Sequence, residues 1–367
     1  RNVRNLGFFS AVDVEAIRGS ADDQTIAKIN VEEQSTGDFS IGVGYSSLDK
    51  STVSLGLNEK NFLGSGRALK FATSVSESRS DYRIGLTEPY FLDRNLRSSA
   101  ELFNQSLSND TLTTKTSGID LGMAFNAADD YYHRIGYQLS SAESTQTNST
   151  ATSLTGEENK DVLRSSVSYT IGRSTLDNRF DPTEGYLYEL SETLSGIGGD
   201  VTFLKTSARA SYFEPLNFNS FILGVRGKAG FVDGLGEKIT QSSRFYLGGR
   251  AVRGFASGGI GPRDTGVDTS VGGNYMYAAT AEVVSSYGLS DDLGVRWTVF
   301  TDIGSVWDTD YPSGVTAAED DTMRQSVGAG FLWDTAVGPL TFYWADAVSK
   351  SSHDKVKRFQ FNIGTRL

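Results

Sequence analysis

From Asp38 onward the chain alternates, one residue large and apolar, the next small or polar, in run after run. Phe39, Ile41, Val43 and Tyr45 share one side of an extended strand, while Ser40, Gly42, Gly44 and Ser46 share the other, because successive side chains leave a strand on opposite faces. The same period of two returns in Leu69-Phe71-Thr73-Val75, Phe221-Leu223-Val225, Val295-Trp297-Val299 and Leu340-Phe342-Trp344. Helical periodicity is almost absent, so the fold class is all-β. A soluble sandwich also alternates, but its inner face needs bulk to fill the space between two sheets. Here that face is rich in glycine and serine, the polar-in, apolar-out sense of a transmembrane β-barrel.

Counting the runs predicts sixteen antiparallel strands between residues 38 and 367. The even number brings both ends of the barrel sheet to one side. Long connections at 141–160, 233–274, 306–322 and 347–356 then fall at one end, and short turns such as EPYFLDRN and NRFDPTEG at the other. Outer-membrane barrels carry long loops outside and short turns inside, so both termini are expected in the periplasm. Residues 1–37 differ: RNVRNLGFF reads as a helix tail stopped by Gly7, followed by two alternating runs, AVDVEAI and TIAKINVEE. That piece is too small to bury a core alone.

Composition excludes several functions. No apolar run approaches the roughly 18 residues of a membrane helix, and mean hydropathy is −0.30, as expected where strands do the spanning. The absence of cysteine removes disulfides, thiolate metal sites and cysteine nucleophiles together, and only His133 and His353 remain for imidazole chemistry. No cofactor or metal is expected. A net charge of −11 argues against nucleic acid as a partner. There is no GxSxG, HExxH or Walker loop, so the chain reads as a non-enzyme. The acidic run Glu319-Asp320-Asp321 is either a solvated loop or a surface cation site.

One connection stands apart. Arg244 to Asn274 is too long for a hairpin turn and too glycine-rich for a strand, yet it carries the compact core Val252-Arg253-Gly254-Phe255. With RFYLGG before it, IGP after it, and NFLGSGR, EPYFLDRN, FDPTEG, VGGN, FTDIGSVWD, VGPL and FQFNIG in order along the chain, it resembles the outer-membrane β-barrel assembly insertase family. In that family this loop folds back into the barrel lumen and carboxylates on the wall hold its arginine, a role the resemblance gives to Arg253. Strand parity offers the carboxylates: outward Trp297, Val299 and Ile303 turn Asp302 inward, and outward Tyr275, Tyr277, Ala279 and Ala281 turn Glu282 inward. Both positions match the family, although the proline that follows the glutamate there is replaced by Val283-Val284-Ser285. Competing readings remain at each residue. Asp302 is alternatively a lumen aspartate paired with Arg296, and Phe255 either wedges against residues such as Phe300 or caps the loop. Gly254 is expected to supply positive φ or close backbone approach.

The last strand alternates Phe359, Phe361 and Ile363 against Gln360, Asn362 and Gly364, and its FQFNIG core resembles the family's C-terminal strand, with Leu367 where the family favours an aromatic residue. Gly364 facing a first strand with Gly42 and Gly44 makes that seam the easiest to open, with Val43 expected across from Ile363. Ordinary barrel closure is the competing reading. The resemblance further implies that residues 1–37 end a periplasmic POTRA module. It also implies that the barrel folds and inserts other β-barrel proteins into the bacterial outer membrane, through the seam and without ATP. Implied partners are unfolded outer-membrane proteins, outer-membrane lipid and lipopolysaccharide, and assembly-complex lipoproteins. The rivals are a passive porin and a two-partner or TamA-like secretion barrel.

Overall fold

The computed structural model describes residues 7–21, 24–47, 50–108, 112–127, 130–146, 161–216, 221–266, 268–289, 293–310, 317–335 and 338–364. Sixteen antiparallel strands close into one barrel. They are β1 (Gly37–Ser46), β2 (Lys50–Glu59), β3 (Ala68–Ser76), β4 (Arg79–Glu88), β5 (Arg97–Ser108), β6 (Leu112–Asn126), β7 (Tyr131–Gln146) and β8 (Asp161–Ser174), then β9 (Gly185–Ser195), β10 (Phe203–Pro215), β11 (Phe221–Gly234), β12 (Tyr275–Ser285), β13 (Val295–Trp307), β14 (Arg324–Thr335), β15 (Gly338–Ser349) and β16 (Phe359–Gly364). Each pairs with its sequence neighbour, and β16 returns to β1. Closure matters because an unpaired strand edge in hydrocarbon leaves its backbone polar groups unsatisfied.

The two faces separate as the alternation predicts. Phe39 and Val43 on β1, Phe331 on β14 and Trp344 on β15 are all more than half exposed on the outside of the barrel, whereas Asp302 and Thr298 on the inner face of β13 are fully buried. In water such an apolar exterior would be an aggregation surface; in lipid it is the favourable arrangement. Aromatic rings gather at the two rims. Phe231, Tyr275 and Trp307 stack in a row at the end carrying the long loop 235–274, and Tyr131, Tyr186 and Tyr188 cluster at the end carrying the short turns.

Ahead of the barrel, Phe9–Arg18 and Thr25–Glu33 form an antiparallel hairpin with Val14 opposite Ile29 and Ile17 opposite Ile26. These four side chains are exposed, so the hairpin buries no core of its own. Gly7 has φ +70°. The helix tail expected before it lies outside the described residues. The barrel begins at Gly37, one residue earlier than expected.

Candidate functional site

The connection between β11 and β12 turns into the barrel. β11 runs on to Gly234, so the loop starts at residue 235. Leu247, Val252, Phe255 and Ile260 from the loop pack against Phe203, Val232, Met276 and Val306, which share parity with the inward faces of β10, β11, β12 and β13. Gly304 on β13 makes room for them. A Cβ there would come within 2.9 Å of Leu247 Cδ2 and 3.2 Å of Val252. Burying each large apolar side chain is worth about 1.5–3 kcal/mol, so this cluster supplies the loop's anchorage and the polar contacts fix its register.

Arg253 sits at the centre. Its Nε and Nη2 donate to Asp302 Oδ2 and Oδ1, both at 2.8 Å, while its backbone N–H donates to the same Oδ2 at 2.9 Å. Nη1 donates to Glu282 Oε1 at 2.9 Å. The wall completes the cage: Thr280 Oγ1 donates to Asp302 Oδ1, Thr298 Oγ1 to Glu282 Oε1, and Arg226 to Glu282 Oε2. Burial acts to lower the guanidinium's pKa, but the hydrogen bond to Asp302 and the two carboxylate charges outweigh it and hold the pKa above arginine's ordinary value. The Phe300 ring lies directly under the guanidinium, its centre 3.3 Å from Cζ, with Tyr343 at 5.1 Å. Phe300 is therefore a platform for Arg253, and Phe255 wedges into the apolar cluster instead. Arg296 is engaged elsewhere, by Asp181 and Asp334, and leaves Asp302 to Arg253.

Gly254 has φ +90°, and a Cβ would lie 3.3 Å from Ala345 and Ser326. Both demands fall on one residue. Gly254→Ala is expected to cost about 1–3 kcal/mol of loop stability, mostly as backbone strain. Amide hydrogen exchange over residues 252–256 should then accelerate at least about fivefold, and unchanged protection would show that the turn relaxes without strain.

The loop is also tied to the closing strand. Gly254 and Phe255 pair antiparallel with Lys357 and Val356, and Gln360 Nε2 on β16 donates to the Phe255 carbonyl at 2.8 Å. At the seam itself β16 meets β1 over Asn362↔Ser46, Ile363↔Tyr45 and Gly364↔Gly44, with Tyr45 stacked on Phe361 at 5.5 Å. On its other side β1 pairs with β2 along its whole length, Gly37↔Glu59 to Ser46↔Lys50. Among the described residues, Phe39, Ile41 and Val43 thus have strand neighbours on β2 and none on β16. The residue across from Ile363 is Tyr45, two positions from the expected Val43. Thr365 to Leu367 lie outside the described residues.

Other charge contacts escaped the sequence reading. Arg226 has inward parity on β11 and gives Glu282 a second guanidinium, which strand parity alone could have suggested. The short turn 175–184 reaches across to β13, placing Asp181 3.0 Å from Arg296. Asp177 holds that turn by accepting from the Thr183 hydroxyl and from the backbone N–H of Thr183 and Glu184, which lowers its carboxyl pKa to about 2. At the other end Arg324, fully buried, is gripped by Asp354 and Asp320. The acidic run is thus partly an internal ion-pair partner; among the described residues no cluster of potential ligands fits a metal.

The Omp85 superfamily domain model matches residues 61–367. The chain belongs to the Omp85 superfamily. Among curated Omp85 relatives, the outer membrane protein assembly factor BamA of Neorickettsia risticii is 29% identical over 99% of this chain and 49% of its own length. BamA of Nitratidesulfovibrio vulgaris is 27% identical over 97% of the chain and 45% of its own length. The chain spans about half the length of the curated relatives it matches. The crystal structure of BamA from Haemophilus ducreyi lacking POTRA domains 1–3 superposes with a TM-score of 0.86 at 23% identity, covering 99% of this chain and 76% of that one. As an Omp85 barrel the chain shares that fold.

Proposed function

We propose that this barrel folds and inserts β-barrel proteins into the bacterial outer membrane, acting without ATP or any covalent step. The observation that carries the reading is the seam: among the described residues β1 meets β16 over three pairs, Asn362↔Ser46 to Gly364↔Gly44, but meets β2 over ten, and β16 meets β15 over only five, so Phe39 to Val43 form a strand edge with no β16 partner among them. An incoming strand adds to such an edge by β-augmentation, backbone to backbone, which tolerates many client sequences. The Arg253 loop, bonded to the wall through Asp302 and Glu282 and to β16 through Gln360, braces the lumen while the seam parts. Clients fold because closing their backbone hydrogen bonds and placing apolar side chains in lipid is favourable; the machine lowers a barrier. On this reading the short-turn end and both termini face the periplasm, the hairpin at 9–33 ends a POTRA module, and the partners are unfolded outer-membrane proteins, assembly-complex lipoproteins, lipopolysaccharide and phospholipid. The shared outer-membrane assembly role in the names of its BamA relatives supports this over a porin.

The test is reconstitution of the protein in liposomes with an unfolded barrel client and no nucleotide. Folding, read as heat-modifiable mobility of the client, is expected to run several times faster than in empty liposomes. Equal rates, or a large steady conductance indifferent to Arg253→Ala, would favour a passive pore.

A further inference from the structure

The barrel exterior carries one guanidinium among tyrosines that the lumen mechanism does not use. Arg173, next to last on β8, pairs in register with Tyr131 on β7 and Tyr188 on β9. Cross-strand partners share a face, and two residues inward the same row continues as Ile171 beside Leu190, of which Leu190 is exposed on the outside of the barrel and Ile171 half-buried. Arg173 therefore faces outward, at the rim that bears the short turns. Its Cζ lies 5.7 Å from the ring centres of both Tyr131 and Tyr186. Tyr188 closes the third side, stacked on Tyr186 at 5.9 Å and donating its hydroxyl to Tyr131 at 2.7 Å. Among the described residues no carboxylate pairs with Arg173, and its buried Nε has no hydrogen-bond partner.

A guanidinium held by rings at the edge of the apolar band, with its charge unneutralised by protein, is built for an anion supplied by the membrane. Tyrosine rings at this level sit among headgroups, and they hold the arginine mainly by their faces, with the Tyr188 hydroxyl as its one side-chain hydrogen-bond partner among the described residues. The fork matches two oxygens of a phosphodiester, and phenolic hydroxyls beside it add further donors. We propose that Arg173 with Tyr131, Tyr186 and Tyr188 forms a phospholipid-phosphate site on the outside of the barrel. The choice of a phospholipid over the phosphates of lipopolysaccharide rests on the proposed orientation, in which the short-turn rim meets the periplasmic leaflet. By tethering a headgroup to β7, β8 and β9, the site pins the barrel's depth on the wall away from the seam.

The test is native mass spectrometry of the whole chain released from nanodiscs containing phosphatidylglycerol, lipid A or a phosphate-free diacylglycerol. Heat-modifiable mobility confirms that each variant is folded. Wild type should retain a phosphatidylglycerol adduct, Arg173→Gln should lose it by about tenfold, and Arg173→Lys should keep an intermediate share. Inorganic phosphate at millimolar concentration should not displace the lipid. An adduct equally retained by Arg173→Gln would overturn the site as ordinary annular lipid. Retention of lipid A alone would overturn the phospholipid assignment. The readout is lipid occupancy, so a barrel that holds its lipid yet folds no client would sink the proposed function and leave this site standing.

Discussion

Arg253→Ala is expected to release the lumen loop from the wall and raise hydrogen exchange across residues 247–260 by about 10²–10⁴-fold, matching the roughly 3–5 kcal/mol lost when one partner of a buried ion pair is removed. The asymmetry of the cage sharpens the expectation. Glu282 would keep Thr298 and Arg226, whereas Asp302, with no exposed surface, would keep only Thr280 and the backbone N–H of residue 253. Most of the cost therefore arises at Asp302. Asp302→Asn should weaken the loop more than Glu282→Gln, because Asp302 receives three of the four N–H donors that Arg253 directs at the wall. Arg253→Lys restores the charge but cannot span both carboxylates with a fork, so its protection should fall between wild type and alanine. Charge reversal, Arg253→Glu with Asp302→Arg, should recover part of the loss, limited by the new glutamate facing Glu282. A double variant no better than either single one, or an alanine variant with unchanged exchange, would show that the apolar cluster alone holds the loop.

How much of this was legible in the residues depends on what period two encodes. Parity assigns each side chain to a face, so all sixteen strands, the inward Asp302 and Glu282 and the outward Phe39, Ile41, Val43 and Tyr45 could be read directly. Parity does not encode register. A slip of two residues leaves every face unchanged, which is why parity could not distinguish the expected Val43 from Tyr45, the residue that sits across from Ile363. Nor does periodicity reach into a connection without any. The inward fold of the loop came from the resemblance of VRGF, and whether Phe255 wedges into the lumen or caps the loop, like the placing of Phe300 beneath the guanidinium, is a matter of tertiary packing that no periodicity encodes. Asp181 and Arg296, 115 positions apart, meet because a short turn bends across the barrel mouth, and nothing local in FDPTEG marks that bend.

The largest effect on activity is expected from bridging the seam. Tyr45 and Ile363 are opposite residues on β1 and β16, and the roughly 4.5–5.5 Å between Cα atoms of such pairs lies within the range a disulfide accepts. The chain has no native cysteine, so Tyr45→Cys with Ile363→Cys forms one defined bridge. If the edge of β1 must separate from β16 to receive a client strand, the oxidised variant should fold clients at least about tenfold more slowly than its reduced form, and reductant should restore the rate. The reduced variant has lost the Tyr45–Phe361 stack, worth about 0.5–1.5 kcal/mol, and should open somewhat more readily than wild type. The control is Val43→Cys with Val53→Cys, which joins β1 to β2 across a fully paired boundary and should leave the rate unchanged when oxidised. Any general harm from a crosslink would appear in both. Full activity with the β1–β16 disulfide intact would mean that clients enter without the seam opening, and the short pairing of β16 would then be only the way this barrel closes.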